Sequence, residues 1–132
     1  MATTAQAHTD AVRALLAAGG IAAGDGSRPD TAGADSGYVV LYDWSSQEPA
    51  SVADGSRRQI VYTVNAVCVG RGIEQARWAA QKTRDALLGV PLTVAGRSTN
   101  SPEHSGGPAI RDDAGPGGTF TITETFRYLS VT

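Results

Sequence analysis

A chain of 132 residues is one domain by size, long enough to bury a single core and hardly a second. Eleven basic against thirteen acidic residues leave a net charge of −2, which gives no electrostatic footprint for wrapping nucleic acid. One cysteine excludes an internal disulfide and, beside only two histidines, makes a zinc site improbable. Sixteen glycines and six prolines, roughly one residue in six against a usual one in eight or so, point to long loops. No basic segment followed by an apolar signal core opens the sequence, and no apolar run approaches roughly 20 residues. The expectation is a soluble protein made in a cytoplasm, with no membrane partner.

Residues 4–18 predict a first helix, with Ala5, Val12, Leu15 and Leu16 along one stripe and His8 at its edge. Thr4 or Thr9 is placed to cap it, and Gly19-Gly20 to end it. His8 reads as a boundary residue rather than a base, because no nucleophile or carboxylate partner is identifiable by spacing. Residues 19–37 are rich in Gly, Ala, Asp and Ser and predict a long loop. Residues 38–44 predict a strand, with Tyr38, Val40, Tyr42 and Trp44 on one face and Val39 and Leu41 on the other until Asp43. After the polar turn chemistry of residues 45–58, its antiparallel neighbour is expected at 59–69.

The organising stretch is 58–88. Ile60, Tyr62, Val64, Ala66 and Cys68 recur at every second position, the pattern of a strand with one covered face. Cys68 on that face reads as a small buried hydrophobe. At Gly70 the period changes: Ile73, Ala76, Ala80, Thr83 and Leu87 fall on one side of a helical wheel, and Gly89 and Pro91 supply the stop. Trp78 lies about 140° round the wheel from Ile73, at about 100° per residue. Two roles fit it: a ring laid flat over neighbouring alkyl stems or under a loop, or a contact with another subunit. Beyond the helix, 91–94 predicts a short strand and 95–118 a second long loop, interrupted at Ala109-Ile110. The last strand, 119–128, alternates threonine with Phe120, Ile122, Phe126 and Tyr128. Glu124 breaks its apolar side and predicts a bulge there or a strand running off the core. The expected fold is α+β: a single domain over 1–132, with two helices on one face of a mostly antiparallel or mixed sheet of four to five strands, and two long Gly-rich loops.

No chemistry emerges from these residues. Gly70-Arg71-Gly72 has Gln75 where a dinucleotide-binding turn needs its third glycine. Residues 115–118 lack the lysine and following helix of a phosphate loop. Asp25, Asp30, Asp35, Asp112 and Asp113 read as solvated turn carboxylates. Ser45, Ser46, Glu48, Glu103 and His104 form no nucleophile, base and orienter in a recognisable order. Neither an enzyme nor a cofactor is expected.

The run from Val61 through Val69-Gly70-Arg71, then Glu74 to Trp78, Arg84 to Gly89 and Pro91-Leu92, resembles the tail terminator proteins of long-tailed bacteriophages, particularly actinobacterial ones. The N-terminal helix, the Tyr-Val-Val strand, Arg111-Asp112-Asp113 and Phe126 to Leu129 add to the likeness, which spans most of the chain. The resemblance implies a structural role in the virion, assembled in the host cytoplasm. Subunits would form a hexameric ring on the head-proximal end of the tail tube, end its polymerisation and present a docking surface to the head–tail connector. DNA would pass through the ring lumen without specific binding. Arg71, Arg77 and Trp78 match the likeness and are the residues expected near neighbouring subunits. The alternatives are another neck component, a head-completion or tail-completion protein, or a small module using the Tyr42, Trp44 and Tyr62 neighbourhood as a ligand pocket.

Overall fold

The computed structural model describes residues 4–29, 37–47, 59–112 and 119–132. In order they form α1 (Thr4–Ala18), β1 (Ala23–Asp25), β2 (Tyr38–Gln47), β3 (Gln59–Gly70), α2 (Ile73–Leu87), β4 (Ser98–Thr99), β5 (Glu103–Gly106), β6 (Ile110–Asp112) and β7 (Thr119–Val131). The architecture is α+β. Two helices lie on one face of a seven-stranded sheet ordered β1-β2-β3-β7, with β4, β5 and β6 all paired to the far edge of β7. The β1–β2 pair is parallel and every other pairing is antiparallel.

Register explains the core. Val39 and Leu41 of β2, Tyr62, Val64, Ala66 and Cys68 of β3, and Ile122, Phe126 and Tyr128 of β7 sit on the helix side, each aligned with its neighbour across the ladder. Val12 and Leu16 of α1 and Ala76, Ala79, Ala80 and Leu87 of α2 close over them. The alanines let α2 lie close to the sheet. Closeness also sets the role of Gly70: a Cβ there would stand 2.4 Å from the Ala76 nitrogen. That glycine is needed for helix approach rather than for an unusual backbone angle.

α1 ends as its glycines predict, in a Schellman motif. Ile21 N–H donates to Leu16 O at 3.1 Å, Gly20 N–H donates to Ala17 O at 3.1 Å, and Gly20 takes φ +87°. Leu16 and Ile21 are both buried, supplying the apolar contact that accompanies this cap. Thr9 is not a cap but a mid-helix anchor, described below. α2 ends at Leu87, with Gly89 at φ +73°.

Several expectations change. The 91–94 strand is absent; that stretch makes one isolated bridge, Val94 to Arg97. The region expected as a second long loop carries β4, β5 and β6 within 98–112, because β7 would otherwise leave a thirteen-residue edge unpaired. The first loop contains β1. Glu124 neither bulges nor leaves the core: the β3–β7 register runs unbroken through the Ala66–Glu124 pair, and Glu124 is 2% exposed. His8 is fully buried, not at a boundary. Asp30, Asp35, Glu48 and Asp113, with residues 115–118, lie outside the described residues.

Candidate functional site

Among the described residues three polar clusters reach the interior, and each is committed to holding elements together. His8 Nδ1 lies 2.7 Å from Thr4 O and its Nε2 2.8 Å from Ser130 Oγ. A carbonyl only accepts, so Nδ1–H donates there. Arg97 Nε donates to the same Oγ at 2.7 Å. A hydroxyl, an imidazole and a guanidinium in line resemble parts of a hydrolytic site, yet Ser130 and His8 have no exposed surface. No substrate carbonyl reaches that oxygen. The His8 ring also packs on Tyr62, with centroids 5.1 Å apart.

The second cluster docks α1 on β2 and β3: Thr9 Oγ1 lies 2.6 Å from an Asp43 carboxylate oxygen and 3.0 Å from the Tyr62 hydroxyl. Burial pushes the Tyr62 hydroxyl well above the usual phenol range. The third joins α2, β5 and β7. Arg84 Nη1 donates to Glu124 Oε1 at 2.6 Å, and His104 Nε2 contacts Glu124 Oε2. The His104 ring stacks on Phe126 with centroids 5.0 Å apart. Gly106 is part of this arrangement, since a Cβ there would come within 2.9 Å of Glu124 Oε2. Cys68 is sealed between the sheet and Thr83, and burial pushes its thiol up to about 11, so it is no nucleophile at neutral pH. Among the described residues no group of three or more His, Cys, Asp or Glu side chains is placed to hold a metal ion.

The surface is more informative. Arg71, Arg77 and Trp78 are all exposed, so the structure brings the three expected interface residues to one end and the outer side of α2. Trp78 is half-buried: the Lys82 ammonium stands 5.9 Å from its ring centre, and Gly37 runs so close that a Cβ there would lie 3.2 Å from its Cε3. The residue nevertheless keeps 43% of its surface in solvent. The covered part of Trp78 fits the packing role foreseen for it, and the rest of the side chain is open.

The ligand-pocket alternative fails on geometry. Tyr62 points to the helices, whereas Tyr42 and Trp44 stand on the opposite, helix-free face of the sheet and are 51% and 53% exposed. That face carries Thr63, Asn65, Thr123 and Thr125 at its centre, with Thr125 Oγ1 donating to Asn65 Oδ1 at 2.7 Å. A groove of about 260 Å³ beside Gln59, Val61, Asn100 and Arg127 lies below the roughly 300–1,000 Å³ of pockets that enclose small molecules. It is crossed by the exposed Arg127–Glu103 pair at 3.2 Å.

No family model matches the sequence, and no curated protein does. Solved structures do. A chain from the virion of a native gene transfer agent particle superimposes with a TM-score of 0.66 at 20% identity, covering 93% of each chain. A second solved chain gives 0.61 at 17% identity over 96% of this chain and 91% of that one. The fold is shared with both, essentially end to end.

Proposed function

We propose that this chain is a virion structural protein. It forms a ring, most economically a hexamer, on the head-proximal end of a phage-type tail tube, where it ends tube growth and offers the head–tail connector a surface. The carrying observation is the fold, matched over 93% of its length by a chain of a gene transfer agent virion. Among the described residues, the commitment of His8, Ser130, Glu124 and Cys68 to buried contacts supports an assembly role over catalysis. Arg71, Arg77 and Trp78 lie at the subunit contact in this reading, and the uncharged centre of the sheet face suits a lumen through which DNA passes without specific binding.

The test is electron microscopy of the purified protein, alone and mixed with its tail-tube protein. Rings of about six subunits that cap tube ends are expected; a protein that stays monomeric in both cases refutes the reading. Trp78→Glu should cost about 1 kcal/mol of stability, since more than half of the residue is covered, while lowering self-association in sedimentation. Unchanged sedimentation would remove Trp78 from the contact.

A further inference from the structure

The sheet ends in an open edge on each side, and the two edges fit one another. On β2, Val39 N–H donates to Ala22 O and Leu41 O accepts from Gly26 N–H, so odd-numbered residues turn their backbone groups outward, away from β3. β1 covers only Val39 to Leu41, while β2 continues in unbroken register with β3 to Gln47. Among the described residues nothing pairs with the outward N–H and C=O groups of Asp43 and Ser45. Edges of this kind are normally blunted by proline, lysine, a bulge or an inward-pointing charge; here the one such charge, Asp43, is turned in to Thr9 of α1 and leaves the backbone edge open. Residues 42–47 contain no proline, lysine or bulge, and they display Tyr42 and Trp44 on the helix-free face.

At the other end of the sheet β5 faces β7 through Glu103 and Ser105, as the Gly107 N–H to Thr123 O bond in the same parity shows. The backbone groups of His104 and Gly106 therefore point outward, and all four residues of β5 are exposed. Strand direction selects the occupant. β2, β3, β7 and β5 alternate in direction, and four is an even number. A second copy added in the same orientation would set its β2 antiparallel to the first copy's β5. Such a contact joins two different surfaces, which is what a ring needs, whereas β2 against β2 would close a dimer.

We propose that the open edge of β2, at Asp43 and Ser45, pairs with β5, at His104 and Gly106, of a neighbouring copy, so that adjacent subunits share one continuous sheet. Tyr42 and Trp44 stand beside this seam on the helix-free face and pack across it. The proposal rests on the ring reading above and specifies the surface that makes the ring.

Ser45→Pro tests it. The Ser45 N–H faces outward, so proline removes an intersubunit donor and leaves the β2–β3 ladder intact, as at other edge positions. Circular dichroism and melting should match wild type, while association weakens at least about tenfold. Ser45→Lys should act likewise and gives the reading if proline disturbs the fold. Mixed in as a minor component, Ser45→Pro subunits keep a working β5 edge and should bind one neighbour and stop, giving incomplete assemblies by native mass spectrometry. Variant subunits left wholly outside the assemblies would mean β2-to-β2 pairing and overturn the proposal. Hydrogen exchange at Asp43 and Ser45 should slow on assembly; equal protection in the monomer would show the edge covered by the chain's own residues. If both variants form rings as readily as wild type, the seam is wrong and the ring stands. If wild type never assembles, the ring reading falls and the seam with it.

Discussion

Arg84→Ala removes the guanidinium from a carboxylate that water barely reaches. Glu124 is 2% exposed and its Oε1 sits 2.6 Å from Arg84 Nη1, whereas Arg84 itself is 31% exposed. Removing one partner of a fully buried ion pair costs about 3–5 kcal/mol, because the remaining charge is left without its counterion. Here the loss is smaller: Arg84 is partly hydrated in the folded state, so the pair is less than fully desolvated, and His104 still contacts the other carboxylate oxygen. An expected loss of about 2–3 kcal/mol follows, read in urea as a midpoint lowered by roughly 1–2 M for a slope near 1.5–2 kcal/mol/M. Replacing both charges, Arg84→Met with Glu124→Leu, should bring stability back to within about 1 kcal/mol of wild type, since an apolar pair of similar volume carries no desolvation cost. Arg127→Ala is the internal control, because the Arg127–Glu103 pair is exposed on both sides and should shift stability by less than about 0.5 kcal/mol. If Arg84→Ala costs no more than Arg127→Ala, the carboxylate is hydrated and the buried cluster does not hold α2, β5 and β7 together.

Gly70→Ala should destabilise by about 1–3 kcal/mol, because its Cβ meets the backbone of Gln75 and Ala76, while Gly72→Ala, with nothing within 4 Å, should stay within about 1 kcal/mol in the same denaturation assay. Cys68 gives the pH dependence. Its folded value, about 11, lies above the unfolded 9.0, so its contribution is full below pH 9 and is lost as pH rises from 9 to 11. The loss amounts to about 1.4 kcal/mol per pH unit, or roughly 3 kcal/mol in all. The urea midpoint should therefore begin to fall at pH 9, and Cys68→Ala should remove the decline between 9 and 10, leaving that which sets in as the buried Tyr62 and Tyr128 hydroxyls begin to matter. A decline unchanged in the variant would show that the thiol is not sealed. Thiol reagents should modify Cys68 only under unfolding conditions.

The long elements were legible because each carries its own periodicity: alternation in β2, β3 and β7, and a 3.6-residue stripe in both helices. β4, β5 and β6 were not, since Glu103-His104-Ser105-Gly106 has no apolar alternation and every residue is exposed. Those strands exist because β7 needs a partner along its far edge, a tertiary demand that local sequence does not encode. The position of Trp78 away from the apolar stripe was readable from the wheel. The burial of Glu124 and His8 was not, because the groups that compensate them, Arg84 forty residues away and Ser130 across nearly the whole chain, are brought near only by the fold. An acidic residue interrupting a strand's apolar side was the available signal, and a distant arginine on the covered side of a helix was its counterpart. The open edge of β2 became visible only with the sheet order.

β7 lies between β3 and the three short strands and also anchors α1 through Ser130, yet it is the last of these elements to leave the ribosome. The helices and β1 to β6 therefore emerge without the strand that most of them border. A chain stopped before residue 119 has no half-finished domain to fall back on: β3 keeps one bare side, and β4, β5 and β6 have nothing to pair with. The sheet cannot close until that strand is available, so a truncated chain presents no finished surface of its own.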